Sequence, residues 1–221
     1  LSNNRIAHYF EQGTGEPLVL IHGVGMQAAA WYPQIEFFSK HYRVISVDMP
    51  GHGQSSKLAD DAKLQDFVDW TIEFITALDI GAVNLAGHSM GSLISTGVSV
   101  TRPDLVKRMA VLNGVYKRTS QARNAVVQRA EELKTGHIDI ETPLQRWFGD
   151  TEIERIASEH VKSWLESVDL SGYTTAYSAF AWGDEVYADD WSKIACPALV
   201  LTGTHDPNST AEMAIQMASQ A

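Results

Sequence analysis

The sequence predicts an α/β protein with one mostly parallel β-sheet, helices on both faces and a helical cap. Short, continuous apolar runs alternate with longer amphipathic segments, as they do when helices join neighbouring parallel strands. Several of the apolar runs end in glycine-containing loops that carry polar side chains. The length of 221 residues and the hydrophobic share of 44% suit one globular core with a single insertion.

The strands are predicted from apolar runs that are flanked by turn residues. Five segments qualify, at residues 18–21, 42–47, 83–86, 108–112 and 198–201; the first and the last are apolar at every position, and the others carry one or two polar residues. A run that is apolar at every position favours a strand buried on both faces, which is typical of the interior of a parallel sheet. Residues 6–10 alternate only weakly between apolar and polar, and residues 11–17 are expected to form a turn.

The helices are predicted from apolar periodicity and from residues that begin or end helices. Four segments outside the insertion are expected to be helical, at residues 31–41, 62–78, 89–101 and 209–219. Pro33 lies near the start of the first segment, where its missing N–H is tolerated. The third segment ends before Pro103, because the residue preceding a proline disfavours helical backbone.

Residues 114–190 interrupt this alternation and contain no convincing strand. Helices are expected at residues 119–135, 151–168 and 171–182. The first should close at Gly136, and the second should begin with a capping box formed by Thr151 and Glu154. The predicted organisation is therefore a first part of the core at residues 1–113, a helical cap at 114–190, and a second part of the core at 191–221.

A serine flanked by glycines follows the third apolar run. Residues 87–91 read G-H-S-M-G, the G-x-S-x-G pattern between a strand and a helix. A sharp turn there would lift the Ser89 hydroxyl out of the sheet, and Cβ atoms at Gly87 and Gly91 would collide with neighbouring chain. A serine is a weak nucleophile until a base, itself oriented by a carboxylate, takes its proton. A strand-to-helix turn without chemistry is the alternative explanation.

Three further segments, together with this motif, resemble the α/β-hydrolase family over essentially the whole chain. They are His22-Gly23 after a strand, D-M-P-G-H-G-Q-S at residues 48–55, and G-T-H-D at residues 203–206. We interpret Asp48, His22 and His52 as residues that hold their loops in place rather than as catalytic groups.

The resemblance implies a serine-nucleophile enzyme with assigned roles for four residues. Ser89 matches the nucleophile and Asp206 matches the acid of a catalytic triad, although Asp206 could instead only cap the final helix. The backbone N–H groups of Val24 and Met90 match the oxyanion hole, which binds the negative oxygen of the tetrahedral intermediate.

The triad histidine is not found where the family order of serine, acid and histidine would place it. None of the eight histidines follows Asp206. The last strand and the base are therefore expected to be missing, either because the chain is a fragment of a longer enzyme or because it is a truncated homologue. His88 is not expected to be the base, because neighbouring side chains diverge at such a turn.

Two short stretches resemble 3-oxoadipate enol-lactonases, at residues 145–148 and 206–214. This resemblance implies cleavage of a small ester or lactone through an acyl-enzyme, with Trp147 and Phe148 at the substrate. The same two side chains could simply pack the cap, and Arg146 could meet a substrate carboxylate or only solvent. The motifs are also compatible with three other functions: carbon–carbon bond hydrolysis, cofactor-free perhydrolase activity, and ligand binding without turnover.

The composition limits which binding partners and which cellular compartment are expected. The formal net charge of -10 argues against nucleic acid or an anionic membrane as partner. One cysteine, Cys196, allows no disulfide within the chain, and a reducing, cytoplasmic location is expected. Neither a metal-ligand spacing nor a phosphate-binding motif is found, so no metal and no cofactor are expected. Assembly into a homo-oligomer is left open.

Overall fold

A computed structural model describes residues 1–136 and 138–221; His137 lies outside the described residues. The described chain forms a six-stranded sheet with the strand order β1-β3-β2-β4-β5-β6. The strands are β1 (Tyr9–Gln12), β2 (Glu16–Ile21), β3 (Tyr42–Val47), β4 (Val83–His88), β5 (Val106–Leu112) and β6 (Ala198–Leu201). Strand β1 pairs with β3 in the antiparallel sense, and all other neighbours are parallel. The predicted fold class is confirmed.

Eight α-helices accompany the sheet in the described part of the chain. They are α1 (Tyr32–Phe38), α2 (Leu64–Ala77), α3 (Met90–Thr101), α4 (Ser120–Leu133), α5 (Glu141–Trp147), α6 (Glu152–Ser167), α7 (Leu170–Gly183) and α8 (Ala211–Gln220). Short 3-10 helices occupy Ser2–Asn4, Ala28–Trp31, Pro103–Leu105 and Ala188–Lys193. The predicted closure of α4 is confirmed, because Gly136 has a φ of 92° and its N–H donates to the Leu133 carbonyl at 3.1 Å.

Apolar side chains of the strands alternate between two hydrophobic clusters, one on each face of the sheet. On β2, for example, Val19 and Ile21 belong to the larger cluster, whereas Leu20 belongs to the smaller one. The larger cluster contains side chains of α2, α3, α7 and α8, and the smaller one contains Ile35 of α1. Because both faces are packed, the central strands are mostly apolar, and β2 is apolar at every position from Leu18 to Ile21.

The sheet differs from the prediction at its first strand. Strand β1 includes Glu11 and Gln12, which were expected to lie in a turn. All four of its residues are exposed, so neither burial nor alternation marks it in the sequence. The turn itself begins at Gly13, where φ is 84° and a Cβ atom would lie 2.3 Å from the Tyr42 carbonyl oxygen.

The last described strand is packed on one face. Ala198 and Val200 of β6 pack against the larger cluster. Leu199 and Leu201 point to the other face and are 56% and 41% exposed. Both faces of β6 are apolar, which predicts a strand inside the sheet. The described residues cover only one of these faces.

Helices α4–α7, called the cap helices below, lie between β5 and β6 in sequence, and α6 and α7 contact the loops that follow β2 and β3. Cβ atoms at Gly51 and Gly172 would lie 2.6 Å from each other's Cα atoms. A Cβ at Gly25 would lie 2.7 Å from Leu165 Cδ2 of α6 and 3.0 Å from Tyr173 Cε2 of α7. These close approaches place α6 and α7 over the carboxyl ends of the strands. The domain boundaries stay a prediction.

Helix α5 was not predicted. Pro143 interrupts its seven-residue sequence, but it lies in the first turn, where a missing N–H costs no helical hydrogen bond. The capping box at the start of α6 is confirmed, with the Thr151 hydroxyl accepting from the Glu154 N–H and the Glu154 carboxylate accepting from the Thr151 N–H. None of the described helices is long and apolar enough to cross a membrane.

Candidate active site

Ser89 occupies a strained turn between β4 and α3. Its backbone angles are φ 55° and ψ −115°, a region that L-residues rarely adopt. The Ser89 N–H donates to the Leu112 carbonyl of β5 at 2.9 Å, and the Ser89 carbonyl accepts from the Ser92 N–H at 3.0 Å. The neighbouring strand and the first turn of α3 therefore hold the turn from both sides.

Glycine is required at both positions of the motif because neighbouring backbone atoms leave no room for a Cβ atom. A Cβ atom at Gly87 would lie 2.0 Å from the Gly91 carbonyl oxygen, and one at Gly91 would lie 2.2 Å from the Ile21 carbonyl oxygen. Real Cβ atoms do not approach backbone oxygens this closely, so the collision predicted from the sequence is confirmed. Helix α3 can start directly against β2 only because both positions lack a side chain.

The loop that carries Val24 lies against Ser89. A Cβ atom at Gly23 would be 3.1 Å from Ser89 Cβ. On the other side of the serine, Met90 is the first residue of α3, where backbone N–H groups lack helical partners and the helix dipole favours negative charge. Both predicted oxyanion donors thus belong to segments that adjoin Ser89, and their role stays a prediction.

Two buried histidines fix the Val24 loop. His22 Nε2 accepts from the Met49 N–H at 2.9 Å, so its Nδ1 donates to the Gly23 carbonyl at 2.8 Å. His52 Nε2 accepts from the Gly25 N–H at 2.9 Å, so its Nδ1 donates to the Pro50 carbonyl at 3.1 Å. The interpretation of both histidines as loop supports is confirmed.

These imidazoles are held in their neutral form. Burial lowers the pKa of His22 well below its ordinary value, and the nearby His52 adds to this effect. Burial also lowers the pKa of His52 to about 4. Each ring therefore keeps one nitrogen as an acceptor, which its backbone partner requires.

Asp48 has the structural role expected of it. Its Oδ1 accepts from the Ala28 N–H at 2.7 Å, and its Oδ2 accepts from the Gln54 N–H at 3.0 Å and contacts His8 Nδ1 at 2.7 Å. The carboxylate is almost fully buried and joins three loops at the edge of the sheet. It is saturated by these donors and is not available to a substrate.

Asp206 lies in the loop after β6 and is held by three donors. Its Oδ1 accepts from the Asn208 and Ser209 N–H groups at 2.8 and 2.9 Å, and its Oδ2 accepts from Asn113 Nδ2 at 2.7 Å. Desolvation acts to raise the pKa of Asp206, but these hydrogen bonds outweigh it and the pKa lies below its ordinary value. The side chain is therefore an oriented carboxylate. It is not the N-cap of α8, a position that Thr210 fills.

Ser89 and Asp206 lie at the same edge of the sheet, separated by one strand. The Ser89 N–H binds the end of β5, and the Asn113 N–H binds the Leu201 carbonyl at the end of β6 at 2.9 Å. Neighbouring strands are about 4.8 Å apart, so β4 and β6 are about 10 Å apart. An imidazole between the Ser89 hydroxyl and the Asp206 carboxylate stays a prediction.

Asn113 directly follows β5 and is a site residue to which the sequence analysis assigns no role. Its backbone has a φ of 50°, its carbonyl accepts from Ser209 Oγ at 2.7 Å, and its amide binds Asp206. An asparagine directly after a buried strand and before a glycine is the sequence signal for such a left-handed position. Its contact with Asp206, 93 positions later, leaves no signal in the sequence around Asn113.

His88 lies close to Ser89 and Asp206 but forms a hydrogen bond with neither of them. Its Nδ1 would lie 3.1 Å from a Cβ atom at Gly23, on the side of the oxyanion loop. Burial lowers the pKa of His88, and the charge of Asp206 acts in the opposite direction. Within the described chain, His88 forms no hydrogen bond with Ser89 or Asp206, which agrees with the expectation that it is not the base.

Trp147 and Phe148, the predicted substrate contacts, have different surroundings. The Trp147 side chain is at the end of α5 and the residue is 46% exposed. Phe148 packs against the hydrophobic cluster of the cap helices, which also contacts Val24. Their roles at a substrate stay predictions. The described residues contain no group of three or more His, Cys, Asp or Glu side chains that could hold a metal ion.

Comparisons with known proteins agree with this geometry. The chain is 81% identical, over all its residues and 84% of the relative, to the (E)-2-((N-methylformamido)methylene)succinate hydrolase of Acinetobacter baylyi. It is 27% identical to 3-oxoadipate enol-lactonase 1 of the same species, over 87% of this chain and 72% of that one. The enol-lactonase structure from Burkholderia xenovorans superimposes with a TM-score of 0.87 at 26% identity, covering 99% of this chain and 85% of that one.

A family model described as the alpha/beta hydrolase fold matches residues 16–220. This match spans the strand–turn–helix at Ser89 and the loop that carries Asp206. With the strained serine, the glycines that allow it and the carboxylate two strands away, it identifies the chain as a hydrolase that belongs to the α/β-hydrolase family.

Proposed function

We propose that this protein is a serine hydrolase that acts on (E)-2-((N-methylformamido)methylene)succinate, the compound named for its Acinetobacter relative. The bond cleaved would be the one between the formyl carbon and the enamine nitrogen. The identity of 81% over the whole chain is the observation that supports this substrate class most directly. The strained Ser89 beside the Val24 loop supports acyl transfer as the chemistry. This proposal names an N-substituted formamide that carries two carboxylates, whereas the sequence resemblance implies a small ester or lactone.

The proposed reaction has two steps. Ser89 Oγ attacks the formyl carbon while its proton passes to a base, the C–N bond breaks, and the nitrogen leaves with that proton as an enamine. Water then cleaves the formyl–serine ester, which releases formate and restores the Ser89 hydroxyl. In both steps the N–H groups of Val24 and Met90 would bind the negative oxygen, each contributing roughly 3–4 kcal/mol.

The base that takes the Ser89 proton is proposed to be a histidine. None of the eight histidines in the sequence follows Asp206, and among the described residues His88 makes no hydrogen bond with Ser89. Asp206 is oriented for such a ring, because three donors hold its carboxylate at the edge where Ser89 emerges. Without a base the serine would retain only the part of the acceleration that the oxyanion hole supplies.

Hydrolysis of an enol-lactone is the second candidate. The structural likeness to the Burkholderia enol-lactonase favours it, and so does the identity of 27% with the Acinetobacter enol-lactonase. The two candidates share the nucleophile and the oxyanion hole. They differ in the leaving group, which is an enamine nitrogen in one and an enolate oxygen in the other.

The experiment is a comparison of the two substrates with the full protein, with Ser89→Ala and with Ser219→Ala as a matched serine control. We expect formate release from the N-formyl enamine of succinate by the wild type and by Ser219→Ala, and none by Ser89→Ala. Faster turnover of an enol-lactone would favour the second candidate. Equal turnover by Ser89→Ala would overturn both, because each requires the serine as nucleophile.

A further inference from the structure

Three arginines of the cap region surround Tyr177 of α7. Arg129 of α4 places its guanidinium carbon 6.0 Å from the Tyr177 ring centroid. Burial raises the pKa of the Tyr177 hydroxyl, and the positive charges of Arg129, Arg118 and Arg146 act against this rise. The Phe180 ring, whose centroid is 6.0 Å from that of Tyr177, lies against the Arg118 guanidinium and so connects Arg118 with Tyr177.

Arg118 is held rigidly by Asp184 and keeps one unused donor. Its Nη1 donates to Asp184 Oδ1 at 3.1 Å, and its backbone N–H donates to Asp184 Oδ2 at 2.6 Å. The Phe180 ring lies 4.4 Å from its guanidinium carbon. The side chains of Arg118 and Asp184 are 3% and 0% exposed. In the described structure Arg118 Nη2 is buried without a hydrogen-bond partner, and a buried charged donor of this kind calls for an acceptor.

The tyrosines of α7 connect this region with the oxyanion loop. The ring centroids of Tyr177 and Tyr173 are 5.9 Å apart, and Tyr173 lies 6.4 Å from His52, which binds the Gly25 N–H. Tyr173 and Tyr177 also share a hydrophobic cluster with Val24. The two tyrosine rings therefore join the region of the arginines to the loop that carries Val24.

Three of the four arginines in this region have acidic partners. Asp184 and Glu185 balance Arg118 and Arg123, and Asp139 is 3.9 Å from Arg129. Glu132 also acts on Tyr177. Arg146 is exposed, and no carboxylate among the described residues forms a salt bridge with it.

We propose that Arg118, Arg129 and Tyr177 form a carboxylate-binding subsite that selects a dicarboxylic substrate. The inference rests on the proposed function, whose substrate carries two carboxylates on its succinate part. A planar guanidinium fixed by a buried aspartate presents N–H donors with the geometry that a carboxylate accepts. Arg118 Nη2 supplies the donor, Arg129 and Arg146 supply charge, and the Tyr177 hydroxyl supplies a further hydrogen bond.

The experiment measures binding of methylenesuccinate to the full protein carrying Ser89→Ala, by titration calorimetry, so that no turnover is needed. Arg118→Lys keeps a cation opposite Asp184 but removes Nη2, and Arg129→Gln removes a charge without exposing that ion pair. We expect each to weaken binding about 10-fold to 100-fold. Arg102→Gln is the control, since Arg102 lies at the far end of α3 from Ser89 and pairs with the exposed Asp104.

Binding by both arginine variants as tight as by the Arg102→Gln control would overturn the subsite, and so would a failure of the Ser89→Ala parent to bind methylenesuccinate. If the arginine variants bind methylenesuccinate more weakly but the wild type does not turn over the N-formyl substrate, the subsite is supported and the proposed function fails. In a turnover assay the same variants should lower kcat/KM for the dicarboxylate, through KM, more than they lower kcat/KM for p-nitrophenyl acetate, which carries no carboxylate. A loss that is equal for both substrates would indicate a structural role only.

Discussion

Acid should destabilise the protein through the buried histidines that hold the Val24 loop. In the unfolded chain His52 binds a proton near its ordinary pKa of 6.5, whereas in the folded protein its pKa is about 4. Between these values the unfolded state binds more protons, so stability is fully present above pH 6.5 and is lost as the pH falls toward 4. Each pH unit costs about 1.4 kcal/mol, so His52 alone should remove about 2 kcal/mol at pH 5.0.

The assay is equilibrium unfolding in urea at pH 7.5 and pH 5.0, on the wild type and on His52→Gln. Glutamine can accept from the Gly25 N–H and does not titrate. The free energy of unfolding should therefore fall by about 2 kcal/mol less in the variant than in the wild type between these two pH values. His22 adds a loss in the same direction, which both proteins share. An equal loss in the two proteins would refute the assignment of His52 as a neutral loop support.

Three other substitutions test the geometry of the site. Gly91→Ala should cost more than about 3 kcal/mol of unfolding free energy by chemical denaturation, or leave no soluble protein, because its Cβ would lie 2.2 Å from a backbone oxygen. Asn113→Gly, which tolerates the positive φ, should lower kcat about 10-fold with little change in KM, because Asp206 loses one donor; an unchanged kcat would contradict this positioning role. Asp184→Asn should cost about 3–5 kcal/mol in thermal or urea unfolding, because Arg118 would be buried without its counter-ion; a neutral effect would show that the pair is dispensable.

The central sheet and the turn at Ser89 were predictable because their signals are local. Strands buried on both faces are mostly apolar, and the glycines at positions 87 and 91 are required by backbone atoms that the strand–turn–helix brings together. Strand β1 carries no such signal, since all its residues are exposed. Helix α5 is hidden by Pro143, which is harmless only because it falls in the first turn.

The connections between distant segments could not be predicted from the sequence. Asn113 and Asp206 are 93 residues apart, and Arg118 and Asp184 are 66 residues apart. Neither contact leaves a periodic or compositional mark, because a single polar side chain at a loop or helix end looks the same whether or not it finds a partner. Ser89 and Asp206 were identified by resemblance, and the residue that orients Asp206 became visible only in the folded chain.

The central claim is that the Ser89 hydroxyl is the nucleophile of this hydrolase. The most direct measurement is the mass of the full protein after reaction with a fluorophosphonate, followed by peptide mapping, for the wild type and for Ser89→Ala. A single adduct on the peptide that contains Ser89, absent from a folded Ser89→Ala variant, is the predicted result. An adduct that persists in Ser89→Ala, or a wild-type protein that forms none, would contradict it.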